Sequence, residues 1–237
     1  MSDWKVKRFW KAAFVVEAEK GFAVTLDGRG VKTPAKQPLH LPTRAMAEAV
    51  AEEWDAQDGI VNPHTMPVTK TANAAIDKVM VQHGEVADML AAYGDNDLLC
   101  YRADAPAELV ARQNEQWDPM LDWAEQTLGA RLLPRTGVMH VPQDDGAIAR
   151  LRARTHALDP FELAAFHDLV SLSGSLVLGF AAAYGARPAE TLWRTSRLDE
   201  LWQEEMWGED EDATALAAIK QAAFLHAVRM FELAQKD

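Results

Sequence analysis

The alternation of apolar and polar positions separates the chain into a short extended part and a long helical part. Phe22, Val24 and Leu26 alternate with Ala23 and Thr25, the period of a strand with one buried face. Asp27-Gly28-Arg29-Gly30 follows and supplies residues that tolerate positive φ. The pattern therefore predicts a hairpin, with Phe14-Val15-Val16 pairing before the turn and Val31-Lys32-Thr33 after it. Pro34, Pro38 and Pro42 close the region, because proline cannot donate to a ladder. From Thr43 the period becomes helical. Met46, Val50 and Trp54 stand four apart on one face, Glu48, Glu52 and Asp55 lie on another, and Thr43 is placed to cap the first turn. This helix is expected to end near Gly59.

Helical spacing resumes over residues 68–81, 85–93 and 106–128, and in the last of these Asp118-Pro119 combines a cap with a first-turn proline, which predicts a broken pair of helices. Residues 132–145, with Pro134, Gly137 and Pro142, read as a long connection. Four more helices are expected over 146–156, 161–184, 189–206 and 212–235. In the second of these, Ser171, Ser175, Gly179 and Ala183 form a stripe of small residues that would admit a close neighbour. The predicted class is α+β: a small antiparallel β-rich N-terminal domain over 1–42 or somewhat further, then a larger all-helical C-terminal domain over 43–237.

Composition narrows the possible partners. Apolar residues make up 49% and charged residues 25%, the balance of a chain with a real core. With 36 acidic against 24 basic residues the net charge is −12, so the average surface field repels nucleic acid and anionic lipid. The stretch 161–184 is too interrupted by His167, Asp168, serines and glycines to span a membrane. The lone Cys100 has no partner for a disulfide or a zinc site, which fits a reducing compartment. Met1-Ser2-Asp3-Trp4-Lys5 has neither a secretory core nor presequence character, so the expectation is a bacterial cytoplasmic protein, or a mature organellar chain already trimmed.

Little in the sequence points to catalysis. The histidines, His40, His64, His83, His140, His156, His167 and His226, are scattered singly, so no metal is expected. No Gly-Lys-Ser or Gly-Lys-Thr occurs, and Gly28-Arg29-Gly30 is a hairpin turn, so no nucleotide, cofactor or small-molecule substrate is expected either. Ser171-Leu172-Ser173-Gly174-Ser175 lies inside a helical apolar stretch, where packing serines fit better than a nucleophile turn. Cys100, after Leu98-Leu99, reads as a buried small hydrophobe, with a nucleophile as the alternative. The best enzymatic candidate is acidic: Asp95 and Asp97, with Glu115 and Asp118 nearby, could hold magnesium or act as an acid and base pair, or else form a capped loop. The tryptophans say more. Trp54 and Trp117 continue apolar helix faces and read as structural, as do Gly28 in its turn and Asp118. Trp207, at a helix end among acids, has the composition of an interface hot spot.

Taken in order along the chain, several stretches resemble the family of assembly chaperones for the F1-ATPase alpha subunit. They are Leu26-Asp27-Gly28-Arg29 with Lys32-Thr33-Pro34, Glu52-Glu53-Trp54-Asp55-Ala56-Gln57, Met66-Pro67 with Asn73-Ala74-Ala75-Ile76-Asp77, and Asp97-Leu98-Leu99-Cys100-Tyr101-Arg102. Gln116-Trp117-Asp118-Pro119, Leu172-Ser173-Gly174-Ser175 and Arg197-Leu198-Asp199-Glu200 leading into Trp207-Gly208 complete the set. Lys70 and Ala74 depart from it, where leucine and threonine would be expected. The resemblance implies a β-rich domain followed by a helical one, no catalysis, and capture of an alpha subunit before it meets beta. A ring subunit exposes a large apolar interface until its neighbour arrives, and such a patch aggregates.

On this view Asp199, Glu200, Glu204 and Trp207 are the expected partner-binding residues. Glu200 and Glu204 lie one helical turn apart and present a negative rim continued by Glu209-Asp210-Glu211-Asp212, unless they are simply solvated with Arg197 offsetting Glu200. The rival readings are a metal-dependent enzyme built on Asp95 and Asp97, and a helical scaffold module that forms a stable homo-oligomer. With no phosphate loop and an acidic surface, the protein is predicted not to bind magnesium-ATP. Titration calorimetry should be flat, and a saturable heat at micromolar nucleotide would overturn the expectation.

Overall fold

The computed structural model describes residues 7–137 and 140–235. The opening segment Met1–Lys5 lies outside them, as do Val138 and Met139 of the long connection. The architecture is α+β, a small antiparallel sheet near the N-terminus followed by a larger helical region. The chain divides into two compact units. The first comprises the residues up to His83, with Asp159–Ala165 and the chain from Arg229 onward; the second comprises Gly84–Leu158 and Phe166–Val228.

In the first unit, β1 (Ala13–Glu17) pairs antiparallel with β2 (Phe22–Leu26), so that Val15 faces Val24. β2 continues into β3 (Arg29–Gly30), and its other end pairs with β4 (His40–Leu41). The β2–β3 turn places Asp27 at φ 48 and Gly28 at φ 83, the left-handed pair that matches strand twist. A side chain at Gly28 would meet nothing, so its conformation alone calls for glycine. The Asp27 carboxylate accepts from the backbone of Lys11 and Ala12, which holds its pKa below the usual range.

Thr43 caps α1 (Arg44–Asp55), its hydroxyl accepting from Met46 N and donating to the Leu233 carbonyl. Met46 and Val50 are fully buried where α1 packs on β1 and β2. Trp54 continues that face and meets Trp10 edge-on at 5.3 Å between ring centroids. The acids beside Trp54 are both used within the unit. Asp55 accepts from Ala13 N, and the two Glu53 oxygens accept from Val68 N and Thr69 N, each at 2.7 Å, capping α2 (Pro67–Ala74) from another helix. After α2 a π turn, Ala75–Val79, carries Asp77, whose carboxylate receives Thr33 Oγ1 and Ala35 N. Two of the segments that carry the family resemblance thus meet in space.

The second unit takes in α3 (His83–Ala91) from Gly84 on, β5 (Tyr101–Arg102), α4 (Ala107–Trp123), β6 (Arg135–Thr136) and α5 (Asp145–His156). It also holds the later part of α6 (Pro160–Ser173), then α7 (Leu176–Ala183), α8 (Ala189–Ser196), α9 (Leu198–Trp207) and the first part of α10 (Glu211–Gln235). The connection after α4 contains β6, which pairs parallel with β5; neither two-residue strand carries a period the sequence could show.

Three helical expectations are corrected. Pro119 does not break its helix: α4 runs through it to Trp123 and ends in a π turn, Ala124–Leu128. Both Pro119 and Glu115, whose carbonyl loses its donor, are exposed, so the lost hydrogen bond falls on the solvent side of the helix. The stretch 161–184 is two helices. Gly174, at φ 70, stops α6, and the Ser175 hydroxyl caps α7 by accepting from Leu178 N. The stripe of small residues is therefore not one face; the close approach is at Gly179 alone, where an added Cβ would lie 2.7 Å from Val170 Cγ2. The stretch 189–206 is also split, at Arg197, where Thr195 and Ser196 turn their hydroxyls back onto the carbonyls of Thr191 and Trp193.

Replacing the half-buried Trp54 by arginine removes the Trp10 contact and sets a guanidinium on the face that Met46 and Val50 carry into the core. The expected loss is about 3–5 kcal/mol, a large share of a typical stability margin. Thermal melting of Trp54→Arg checks it: an unchanged midpoint in a soluble variant would mean that this face of α1 tolerates charge.

Candidate functional site

Most of the enzymatic candidates are held by internal contacts or buried. Asp97 has no solvent exposure; it accepts from Leu99 N at 3.0 Å, Ser175 Oγ at 2.7 Å and Val177 N at 3.0 Å. Burial outweighs those donors and pushes its carboxyl up to about 6. Asp95 points elsewhere, accepting from Gln143 N and pairing with His140 at 3.1 Å. Asp118 receives Arg102 at 2.7 Å, and Glu115 is exposed. Cys100 is buried and its thiol is pushed up to about 12, chiefly by desolvation, which leaves it inert as a nucleophile. Ser173 donates to the Leu169 carbonyl, while Ser175 serves Asp97 and the α7 cap rather than a backbone carbonyl. Among the described residues no three His, Cys, Asp or Glu side chains gather as metal ligands. No described helix is long and apolar enough to cross a membrane.

A polar chain runs through α4. Arg102 donates to the Leu99 carbonyl, Asn114 and Asp118, and lies over the ring of Trp117 at 5.3 Å. Trp117 is fully buried and donates Nε1–H to the Thr195 carbonyl at 2.9 Å. Gln113, also buried, accepts from Ala103 N and donates to Asp199 Oδ1 at 2.7 Å. Arg112 grips Glu205 through both carboxylate oxygens and stacks on Trp202 at 4.8 Å. Those partners on α8 and α9 lie 78–93 residues away in sequence, where no local spacing records them.

The acids of α9 are thereby sorted onto two faces. Asp199 and Glu205 are held against α4. Glu200 and Glu204 face the other way and share Arg197, at 2.8 and 3.8 Å. The structure thus brings Glu200, Glu204 and Trp207 together and sets Asp199 apart from them. They line a groove of about 400 Å³ between α9 and the start of α10, with Asp210, Ala213, Leu216, Ala217 and Lys220 on its far side. Trp207 is 78% exposed, and Leu216 and Ile219 on α10 are 52% and 68% exposed. In residues 211–220 every residue but Ala217 is exposed, and a second hollow of about 240 Å³ also reaches Ala217. The first turns of α10 therefore rest on little. The exposure of Leu216 and Ile219 was not legible in the sequence, because alanines leave that segment without an apolar period.

Carboxylates spent on internal bonds, beside an aromatic left in water, suit a protein that binds other proteins, and comparison with known proteins supplies that class: this is a chaperone, not an enzyme. A family model described as ATP12 chaperone protein matches residues 7–125. The crystal structure of Atp12 from Paracoccus denitrificans is 50% identical, with a TM-score of 0.95 over 98% of this chain and 100% of that one. Atu1473 from Agrobacterium tumefaciens is 43% identical, with a TM-score of 0.91 over 95% of this chain and 85% of that one. Protein atp12, mitochondrial, of Schizosaccharomyces pombe is 28% identical over 219 residues, 87% of this chain and 75% of its own length. The chain belongs to the ATP12 chaperone family, in agreement with the resemblance carried by its ordered segments.

Asp97 gives a pH signature with a defined sign. In the unfolded chain a carboxyl ionises near the ordinary value of 3.8, whereas in the fold it keeps its proton to about 6. Its contribution to stability is therefore fully present below pH 3.8 and is lost as pH rises through about 6. Asp97→Asn keeps two acceptor bonds but leaves Val177 N facing an amide donor, at a cost of roughly 1–3 kcal/mol. Because asparagine does not titrate, the variant should gain on the wild type by about 2 kcal/mol between pH 4 and 7.5. Denaturant unfolding across that range checks it, and a pH-independent difference would refute the assignment.

Proposed function

We propose that this protein assists assembly of the F1 sector of ATP synthase by holding the unassembled alpha subunit until it meets beta. Membership of the ATP12 chaperone family, at 50% identity to the Paracoccus Atp12 over nearly the whole chain, carries the reading. The bacterial cytoplasm is its proposed compartment, with the organellar matrix for a trimmed chain, in keeping with a mitochondrial relative. The proposed binding residues are Glu200, Glu204 and Trp207, with Asp199 at the inner end of the same helix. An exposed tryptophan supplies contact area at small entropic cost, and the acids steer encounter with basic residues more than they add affinity. Because Arg197 already sits between the two glutamates, reversing them to lysine would crowd three cations together. Neutralisation is the cleaner test.

Light scattering of purified alpha subunit should show suppressed aggregation when the chaperone is added, and a pull-down should recover alpha rather than beta. Failure of both would remove the reading. The double variant Glu200→Gln with Glu204→Gln should change unfolding free energy by less than about 1 kcal/mol. Its association with alpha should slow at low salt and converge on the wild type at high salt. Equal rates throughout a salt series would return both glutamates to a solvated role.

A further inference from the structure

We infer that the groove between α9 and the first turns of α10 takes a helical segment of the client, amphipathic and basic. The inference rests on the chaperone reading and adds the form of what is bound. The apolar side consists of Trp207, Leu216, Ala213 and Ala217, with Ile219 one turn beyond Leu216. The small Ala213 and Ala217, four apart, let a ridge of another helix approach the α10 backbone.

Both walls are helices, which away from their end turns have no backbone group left to pair, so an extended segment laid along them would bury most of its own N–H and C=O groups unanswered. A helix satisfies them internally, and only side chains need to meet the floor. Charge selects the sign of the segment. From Arg197 to Lys220 there are eight acids, Asp199, Glu200, Glu204, Glu205, Glu209, Asp210, Glu211 and Asp212, against those two cations. Arg197 and Arg112 offset the acids of α9, but among the described residues Glu209, Asp210, Glu211 and Asp212 have no cation within ion-pair distance. The rim therefore favours lysine and arginine beside the ridge. The same acids argue against a second copy of this chain, since a two-fold contact would set the two rims against each other.

The test uses labelled synthetic peptides of about 18 residues, five helical turns, carrying one leucine ridge. One has lysine on its other faces, one glutamate, and one is the lysine peptide broken by central prolines. Fluorescence anisotropy with the full chain should show the lysine peptide binding more than about tenfold tighter than either of the others. Trp207→Ala with Leu216→Ser should lose that binding by a similar factor. Met89→Ser, an exposed apolar change on α3, should leave it intact, and all three positions are exposed enough to keep melting unchanged.

Equal binding of the proline-broken peptide, or equal binding by the groove variant, would overturn the inference. So would a dimer in sedimentation that the groove variant abolishes, which would give the face to a second copy. The alpha-subunit scattering assay separates the two levels. Loss of protection in the groove variant, with circular dichroism intact, supports the inference; protection equal to wild type overturns it while the chaperone role stands. A wild type that fails to protect alpha removes the role of client holder, and the peptide series then decides the groove by itself.

Discussion

Asp97 sits out of reach of solvent and accepts bonds from a turn and from the start of α7, and the arrangement of the second unit depends on that one carboxylate. It fixes Leu98–Cys100, and Leu99 in turn offers the carbonyl that receives Arg102. From Arg102 the links run to Asn114 and Asp118 on α4, across the Trp117 ring, and through its indole N–H to the end of α8. Gln113, one turn away on α4, then holds Asp199 at the start of α9. The buried members of this chain, Asp97, Arg102, Gln113 and Trp117, cost desolvation, and the return is specificity of arrangement rather than raw stability. What it specifies is the position and rotation of α9, the helix that carries the candidate surface.

Rotation matters because α9 has acids around most of its circumference. Left unpaired, Asp199, Glu200, Glu204 and Glu205 would repel one another and present no preferred face. Holding Asp199 and Glu205 against α4, and drawing Glu200 and Glu204 toward Arg197, leaves each acid with a defined direction. Trp207 follows at the exposed end, and Gly208, at φ 92, turns the chain into the acidic run before α10. An aromatic anchor with a charged rim suits the client-holding role proposed above, since steering raises the encounter rate without a large buried area.

The fold was legible where a local signal and burial agreed. The Phe22, Val24, Leu26 alternation and the Thr43 cap are short-range features and appear as the sequence implies, whereas the turn is tighter than expected: the strand after it is Arg29–Gly30, inside the predicted four-residue turn, and not Val31–Thr33. The sequence misled where a distant group decides the outcome. Asp97 meets the start of α7 from 78–80 residues away, so residues 161–184 read as one helix although Gly174 ends the first. Pro119 misled in the opposite direction, because its lost hydrogen bond falls on a wet face. Trp207 among acids was visible as a surface signal, but the groove beside it was not, since it is made by two helices whose approach no spacing records. The acids flanking Trp54 carried the same composition as those near Trp207 yet are spent on capping α2 and pairing with β1.

The first turns of α10 show why a groove of this kind can persist without a partner. Burial normally stabilises a helix, and residues 211–220 have almost none. Their alanines give strong intrinsic propensity, Asp210 caps the helix by accepting from Ala213 N, and Glu211 and Asp212 lie at the end where the backbone dipole favours negative charge. Further along in the same unit, Phe224 and Ala227 are buried and anchor the helix. Local propensity and a distant anchor together keep this segment helical while leaving its side chains unspent. Leu216 and Ile219 can then stay in water at modest cost, where larger or more numerous apolar groups would make an aggregation patch of the kind a chaperone exists to cover.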